Sequence, residues 1–152
     1  MGDEMLKAKW PHIRVLIADD QPRSRRSLKA LLTAMGWSAP NHLAQPGRAD
    51  SVQIEIIGEA EDGQQAVAQV RALQPDVVVM DLQLHPPSHA ESEPGGLAAI
   101  RIIKSEWPII WIVVLTLFAT DRASALAAGA DAFLLKGCPT GELLATVMAG
   151  PR

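Results

Sequence analysis

Five side chains suited to phosphate and metal chemistry stand directly after short apolar runs. Asp19 and Asp20 follow residues 13–18, Asp81 follows 77–80, Thr116 follows 110–115, and Lys136 follows 132–135. If those runs are strands of one parallel sheet, their carboxyl ends deliver all five groups to one edge. Three carboxylates in a shallow pocket repel one another, and a hard divalent cation that prefers oxygen is the ordinary remedy. Mg²⁺ fits best, because its octahedral shell takes only one or two carboxylates directly, keeps several waters and leaves positions open for a phosphoryl oxygen. The Lys136 ammonium and the Thr116 hydroxyl can then serve the remaining phosphoryl oxygens, one as a point charge and the other as a hydrogen-bond donor. The set suits a carboxylate that carries a phosphoryl group.

The runs that must position these groups are rich in β-branched residues, and a further one lies at 54–60. Uninterrupted apolar runs predict strands covered on both faces, since a half-exposed strand would alternate apolar with polar residues. Helical patterns fall between them, at 22–35, 63–73, 97–106, 122–128 and 140–148. In the first, Leu28, Leu31, Leu32 and Met35 recur at spacings of three and four on one face, and Gly36 is placed to stop the helix. Strand and helix alternate five times, which predicts right-handed crossovers and a doubly wound α/β domain. In the flavodoxin-like arrangement of that class, a (βα)5 domain with a five-stranded parallel sheet of order 2-1-3-4-5, strands one, three and four are neighbours. The acids and the hydroxyl then converge at the topological switch point. Two connections, 37–52 and 83–96, are rich in proline, glycine and serine and read as long surface loops.

The composition narrows the function further. With 152 residues, 48% hydrophobic and 20% charged, the chain has room for one sizeable domain. A net charge of -3 argues against direct nucleic-acid binding, and the cluster Arg23, Arg25 and Arg26 reads as a solvated helix face. One cysteine, Cys138, cannot form an internal disulfide, so the expected compartment is the cytoplasm. Residues 1–11 read as a leader with no signal-peptide core, and 109–119, the most apolar stretch, is too short to span a bilayer, so no membrane association is expected.

Four segments carry a resemblance. Ile-Arg-Val-Leu-Ile-Ala-Asp-Asp-Gln at 13–21, Val-Val-Val-Met-Asp at 77–81, Val-Leu-Thr at 114–116 and Ala-Gly-Ala-Asp-Ala-Phe-Leu-Leu-Lys at 128–136 look like the signature segments of response-regulator receiver domains. The resemblance spans roughly residues 12–149, which sets the expected receiver domain at 12–150 with no output domain in this chain. It implies that Asp81 is the phosphoacceptor, taking its phosphoryl group from a phosphohistidine of a sensor histidine kinase. It further implies that Asp20, Asp81 and the backbone carbonyl of Gln83 ligate Mg²⁺, with Asp19 holding a metal-bound water. Thr116 and Lys136 bind the phosphoryl oxygens, and Thr116 with Phe133 forms the switch that reaches the surface of the fourth helix, fifth strand and fifth helix. The partners so implied are the kinase and a downstream protein or an output domain outside the chain, with room for a homodimer through the fifth helix. The family's domains assist their own phosphorylation and dephosphorylation but are not turnover enzymes.

The segment after Asp81 departs from the family pattern: His85 stands where a proline is usual, and the Gly95-Gly96 pair arrives late. The stretch between Thr116 and Gly129 is short for the family, which predicts a short or partly unwound fourth helix. Lys136 is followed by Gly137-Cys138-Pro139, a variation associated with receivers of LuxR-type regulators. Two other functions compete. One is a receiver-like interaction module that is never phosphorylated. The other is a haloacid-dehalogenase-like phosphatase, which wants a second aspartate where this chain has Gln83. Taken singly, Asp19 and Asp20 are no more than helix-capping residues, Thr116 a buried, satisfied hydroxyl, and Lys136 a solvated strand end. His85, His89, Glu91 and Glu93 lie in a loop with no regular scaffold for a metal. Trp37, Trp107 and Trp111 read as packing residues, and Cys138 as an inert thiol.

Overall fold

The computed structural model describes residues 12–37, 53–83 and 95–150. The expected leader, most of the two long loops and the residues His85, His89, Glu91 and Glu93 lie outside them. In chain order the elements are β1 (His12–Ala18), α1 (Pro22–Trp37), β2 (Gln53–Ala60), α2 (Gly63–Leu73), β3 (Val77–Met80), α3 (Gly96–Glu106), β4 (Trp111–Thr116), α4 (Arg122–Ala128), β5 (Ala132–Leu135) and α5 (Thr140–Ala149). The five strands form one parallel sheet in the order β2-β1-β3-β4-β5, the flavodoxin-like arrangement.

Side chains alternate across a strand, so each strand feeds both faces. Val15 and Ile17 of β1, Val77 and Val79 of β3, and Val113 and Leu115 of β4 join Leu28 and Leu32 of α1 and Leu143 and Val147 of α5 in one core. Leu16, Ala18, Val78, Met80, Ile112 and Val114 join residues of α2, α3 and α4 in the other. β3 is therefore apolar throughout with every residue buried, while β1 is continuously apolar only from Val15 to Ala18 and β4 from Trp111 to Leu115. Expectation and structure part at the sheet edges: β2 and β5 are only partly covered, because an edge strand has a neighbour on one side only.

Two further differences have local causes. α1 runs through Gly36 to Trp37 instead of stopping at the glycine. A glycine ends a helix when it takes up the left-handed conformation, and the positive-φ glycines among the described residues are Gly129 and Gly137. Gly129, at φ 117°, closes α4, whose seven residues follow a 3-10 turn at Ala119–Asp121, so the fourth helix is short as its sequence predicts. Of the arginine cluster, Arg23 and Arg26 are exposed, but Arg25 folds inward and pairs with Glu59 and Glu61 at 3.5 Å each. It is not a solvated residue, since the end of β2 places two carboxylates beside it.

Trp107 and Trp111 pack against the cores as expected, and the Trp111 indole N–H donates to the Thr146 carbonyl at 3.1 Å, fastening α5 to the sheet. Cys138 is partly buried; burial, with the Glu142 charge added, holds its thiol pKa above the ordinary value, which favours the protonated thiol. No helix among the described residues is long and apolar enough to cross a membrane.

Candidate functional site

Backbone pairing continues one residue beyond three strands and thereby sets the site. Asp19 N–H donates to the Ala60 carbonyl at 3.0 Å, Asp81 N–H to the Ala18 carbonyl at 2.9 Å, and Lys136 N–H to the Thr116 carbonyl at 2.7 Å. The acids after β1 and β3 and the lysine after β5 are each locked to a neighbouring strand end, so sequence positions far apart become one cluster. Asp19, Asp20 and Asp81 offer carboxylate oxygens that all lie within 4.8 Å of one another. Asp19 is 2% exposed and Asp81 5%, so their charges are nearly cut off from solvent.

Lys136 neutralises this cluster from one side. Its Nζ donates to Asp81 Oδ2 at 2.9 Å and to Asp19 Oδ2 at 3.1 Å. Burial alone would lower the lysine pKa, but the hydrogen bonds to Asp81 and Asp19, together with their charges, outweigh it and leave the pKa raised. The ammonium is therefore a fixed cation, not the solvated strand end that Lys136 suggests in isolation. Asp81 Oδ1 accepts the Gln83 N–H at 3.0 Å, and Asp19 Oδ1 accepts the Gln21 N–H at 2.9 Å. The Asp19 contact, two residues on, is a turn of the backbone ahead of Pro22, the first helical residue of α1.

Thr116 is fully buried at the end of β4, and its Oγ1 has no hydrogen-bond partner among the described residues. The expectation of a satisfied hydroxyl fails here. A buried hydroxyl without a partner costs about 1–3 kcal/mol, so an acceptor brought beside it would be favoured. Thr116 pairs with Leu135 and Val114 with Phe133, so Thr116 and Phe133 lie on the same sheet face, two register steps apart. Phe133 is partly buried and packs against the core that α2, α3 and α4 cover.

Three residues of the site escape sequence reading. Ser24 and Arg25, in the first turn of α1, both reach Asp19: the Ser24 hydroxyl donates to Oδ2 at 2.5 Å and Arg25 Nη1 to the backbone carbonyl at 2.7 Å. Gly96, which opens α3, sits so close to the segment after the acceptor that a Cβ there would lie 2.8 Å from Leu82 Cα and 3.1 Å from the Asp81 carbonyl oxygen. A Gly96→Ala chain is expected to lose about 1–3 kcal/mol of stability by overpacking. Relief of the clash would shift residues 81–82 and, if the acids hold Mg²⁺, weaken its binding. Urea unfolding and calorimetric Mg²⁺ titration check both, and parental values would mean that this backbone contact is not a constraint on the site.

A response regulator receiver domain family model matches residues 47–148 of the chain. The chain belongs to this family. It is accordingly a receiver domain of the two-component signalling type. Residues 12–46, which hold β1 and its acid pair, precede the matched stretch, and β1 joins the site through the sheet pairing described above. A protein-glutamate methylesterase/protein-glutamine glutaminase of Anaeromyxobacter dehalogenans (strain 2CP-C) is 33% identical over 82% of this chain and 30% of its own length. The uncharacterized transcriptional regulatory protein YxjL of Bacillus subtilis (strain 168) is 31% identical over 92% of this chain and 55% of its own. The receiver thus spans about a third to a half of the length of these curated relatives. Among solved structures, a LuxR-family two-component response regulator from Aurantimonas sp. SI85-9A1 superposes with a TM-score of 0.67 at 27% identity, covering 93% of this chain and 88% of that one.

Proposed function

We propose that this receiver accepts a phosphoryl group on Asp81 from a sensor histidine kinase and relays the event through Thr116 and Phe133 to the surface of α4, β5 and α5. The observation that carries the reading is the meeting of three carboxylates with one lysine ammonium beside a buried hydroxyl that lacks a partner among the described residues. Each member answers a need of an acyl phosphate: a nucleophilic carboxylate, a cation for the new charge and a donor for a phosphoryl oxygen.

The residues fit Mg²⁺, since three clustered carboxylates all supply the hard oxygen ligands it prefers. Asp20, Asp81 and the Gln83 carbonyl would hold the ion, with Asp19 reached through a water. When bound, it supplies charge neutralisation for the acids and the incoming phosphoryl oxygens. In the transfer itself, an Asp81 carboxylate oxygen forms a bond to phosphorus while the bond from phosphorus to the donor breaks, and that electron pair leaves with the donor. Lys136 follows the charge from the carboxylate to a phosphoryl oxygen, and the Thr116 hydroxyl turns to donate to another. Charge-assisted hydrogen bonds of this kind contribute about 1.5–3 kcal/mol each, enough to bias a two-state surface. Movement of Thr116 then frees space for Phe133, its neighbour on the same face. A groove of about 470 Å³, whose lining includes Ala119, Arg122, Phe133 and Glu142, lies along that surface and gives the relay somewhere to be read.

The downstream reader is an output domain outside this chain or a separate protein; the greater length of the curated relatives supports the first. The cytoplasm is the compartment in this reading, as one unpaired thiol suits a reducing environment. The phosphatase alternative lacks support because Gln83 has an amide where an acid/base group is needed. Incubation with acetyl phosphate distinguishes the readings. One phosphoryl group per chain, dependent on Mg²⁺, is expected. Release of many equivalents of phosphate would point to a phosphatase, and no uptake by a folded chain to an interaction module that is never phosphorylated.

A further inference from the structure

The Lys136 ammonium meets a third group besides the two aspartates, for its Nζ lies 3.3 Å from Ser24 Oγ. A lysine has three N–H donors and no acceptor, so Asp81, Asp19 and Ser24 use all three. The Ser24 hydroxyl in turn spends its own hydrogen on Asp19 Oδ2. Serine, lysine and Asp19 therefore close a ring of hydrogen bonds, which the Lys136 ammonium links to Asp81. The ring is anchored, not adaptable. Arg25, with a side chain only 11% exposed, ties the Asp19 carbonyl to Glu59 and Glu61 at the end of β2, and this fixes the first turn of α1 against the strand ends.

Given the phosphoacceptor reading on which it rests, we infer that Ser24 is a positioning residue for phosphoryl transfer, acting through Lys136. The lysine has a flexible stem, and its side chain is still 20% exposed, so the ammonium has an open route toward solvent. Ser24 closes that route by accepting the third N–H. It holds the cation at the junction of Asp19 and Asp81, from which a short swing reaches a phosphoryl oxygen on Asp81. Alanine at this position leaves one N–H without an acceptor in a part-buried site and lets the ammonium lean outward. Threonine keeps a hydroxyl on the same Cβ.

The test is the rate constant for phosphorylation by acetyl phosphate at saturating Mg²⁺, read by intact mass. It compares the parent, Ser24→Ala, Ser24→Thr, Lys136→Met and the double variant Ser24→Ala with Lys136→Met. Ser24→Ala is expected to slow uptake about five- to tenfold, the size of one lost hydrogen bond. Ser24→Thr should restore the rate to within about twofold. In the Lys136→Met background the Ser24→Ala change should have no further effect, since a residue that acts through the lysine has nothing left to position. A Ser24→Ala chain that reacts at the parental rate overturns the inference, as does an equal loss in both backgrounds, which would mark a purely structural serine. A folded parent that takes up no phosphoryl group overturns the functional reading and this inference with it, so the two failures are told apart by the parent alone.

Discussion

An Asp81→Asn chain, given acetyl phosphate and Mg²⁺, is expected to stay at its unmodified mass under conditions that phosphorylate the parent completely, a loss of at least about a thousandfold in rate. The amide oxygen of asparagine is a poor nucleophile, yet the side chain has nearly the same size and can still accept the Gln83 N–H that fixes it. The fold should therefore survive. Asp81 is buried beside Asp19 and Asp20, so removing its charge relieves its repulsion with them. In metal-free buffer the variant should be as stable as the parent or more so, and Mg²⁺ should raise its melting temperature less. Mass spectrometry and thermal unfolding with and without Mg²⁺ check the pair. Undiminished uptake would mean that another group, Asp20 first among them, is the acceptor.

The second large effect is expected at Lys136. Methionine preserves the stem and removes the charge, leaving Asp19 and Asp81 buried without their cation. Removing one partner of a buried ion pair costs several kcal/mol, and the partial exposure of the lysine reduces that to about 2–3 kcal/mol in metal-free buffer. Mg²⁺ should recover part of the loss by binding only the folded chain. The pH dependence has a definite sign. The lysine pKa is raised in the folded chain, so its contribution is complete below the ordinary lysine value of about 10.4 and is lost as pH climbs through the higher folded value. Alkaline unfolding of the Lys136→Met chain should lack this component. Phosphoryl uptake should slow about 10- to 150-fold, matching one charge-assisted hydrogen bond of about 1.5–3 kcal/mol. Urea melts across pH and uptake kinetics test these statements; parental stability in metal-free buffer would show that the acids do not depend on the lysine.

How far the sequence alone reaches differs between parts of the molecule. β3 is legible because its run of four apolar residues is short and rich in valine, as a buried strand is, and Asp81 is legible because it breaks that run. The runs show alternating strands and helices but not their order; it is the flavodoxin-like order, taken as a class, that brings Asp19, Asp20, Thr116 and Lys136 to Asp81. Gly36 misleads because composition reveals a capacity for the left-handed conformation, not its use. Ser24 and Arg25 are illegible for another reason: on a helix pattern they read as surface residues, and only the turn between β1 and α1 points them at Asp19. Gly96 depends on how closely α3 docks to the segment after Asp81, a distance that no local pattern encodes.

The most direct test of Asp81 as acceptor is chemical trapping of the phosphorylated chain. Acyl phosphates are reduced by borohydride, which converts an aspartyl phosphate to homoserine, and peptide mapping then locates the altered residue. The account predicts homoserine at position 81 alone, formed only after treatment with phosphodonor and Mg²⁺. Homoserine at position 19 or 20, or a phosphoryl group that resists borohydride on some other residue, would contradict it.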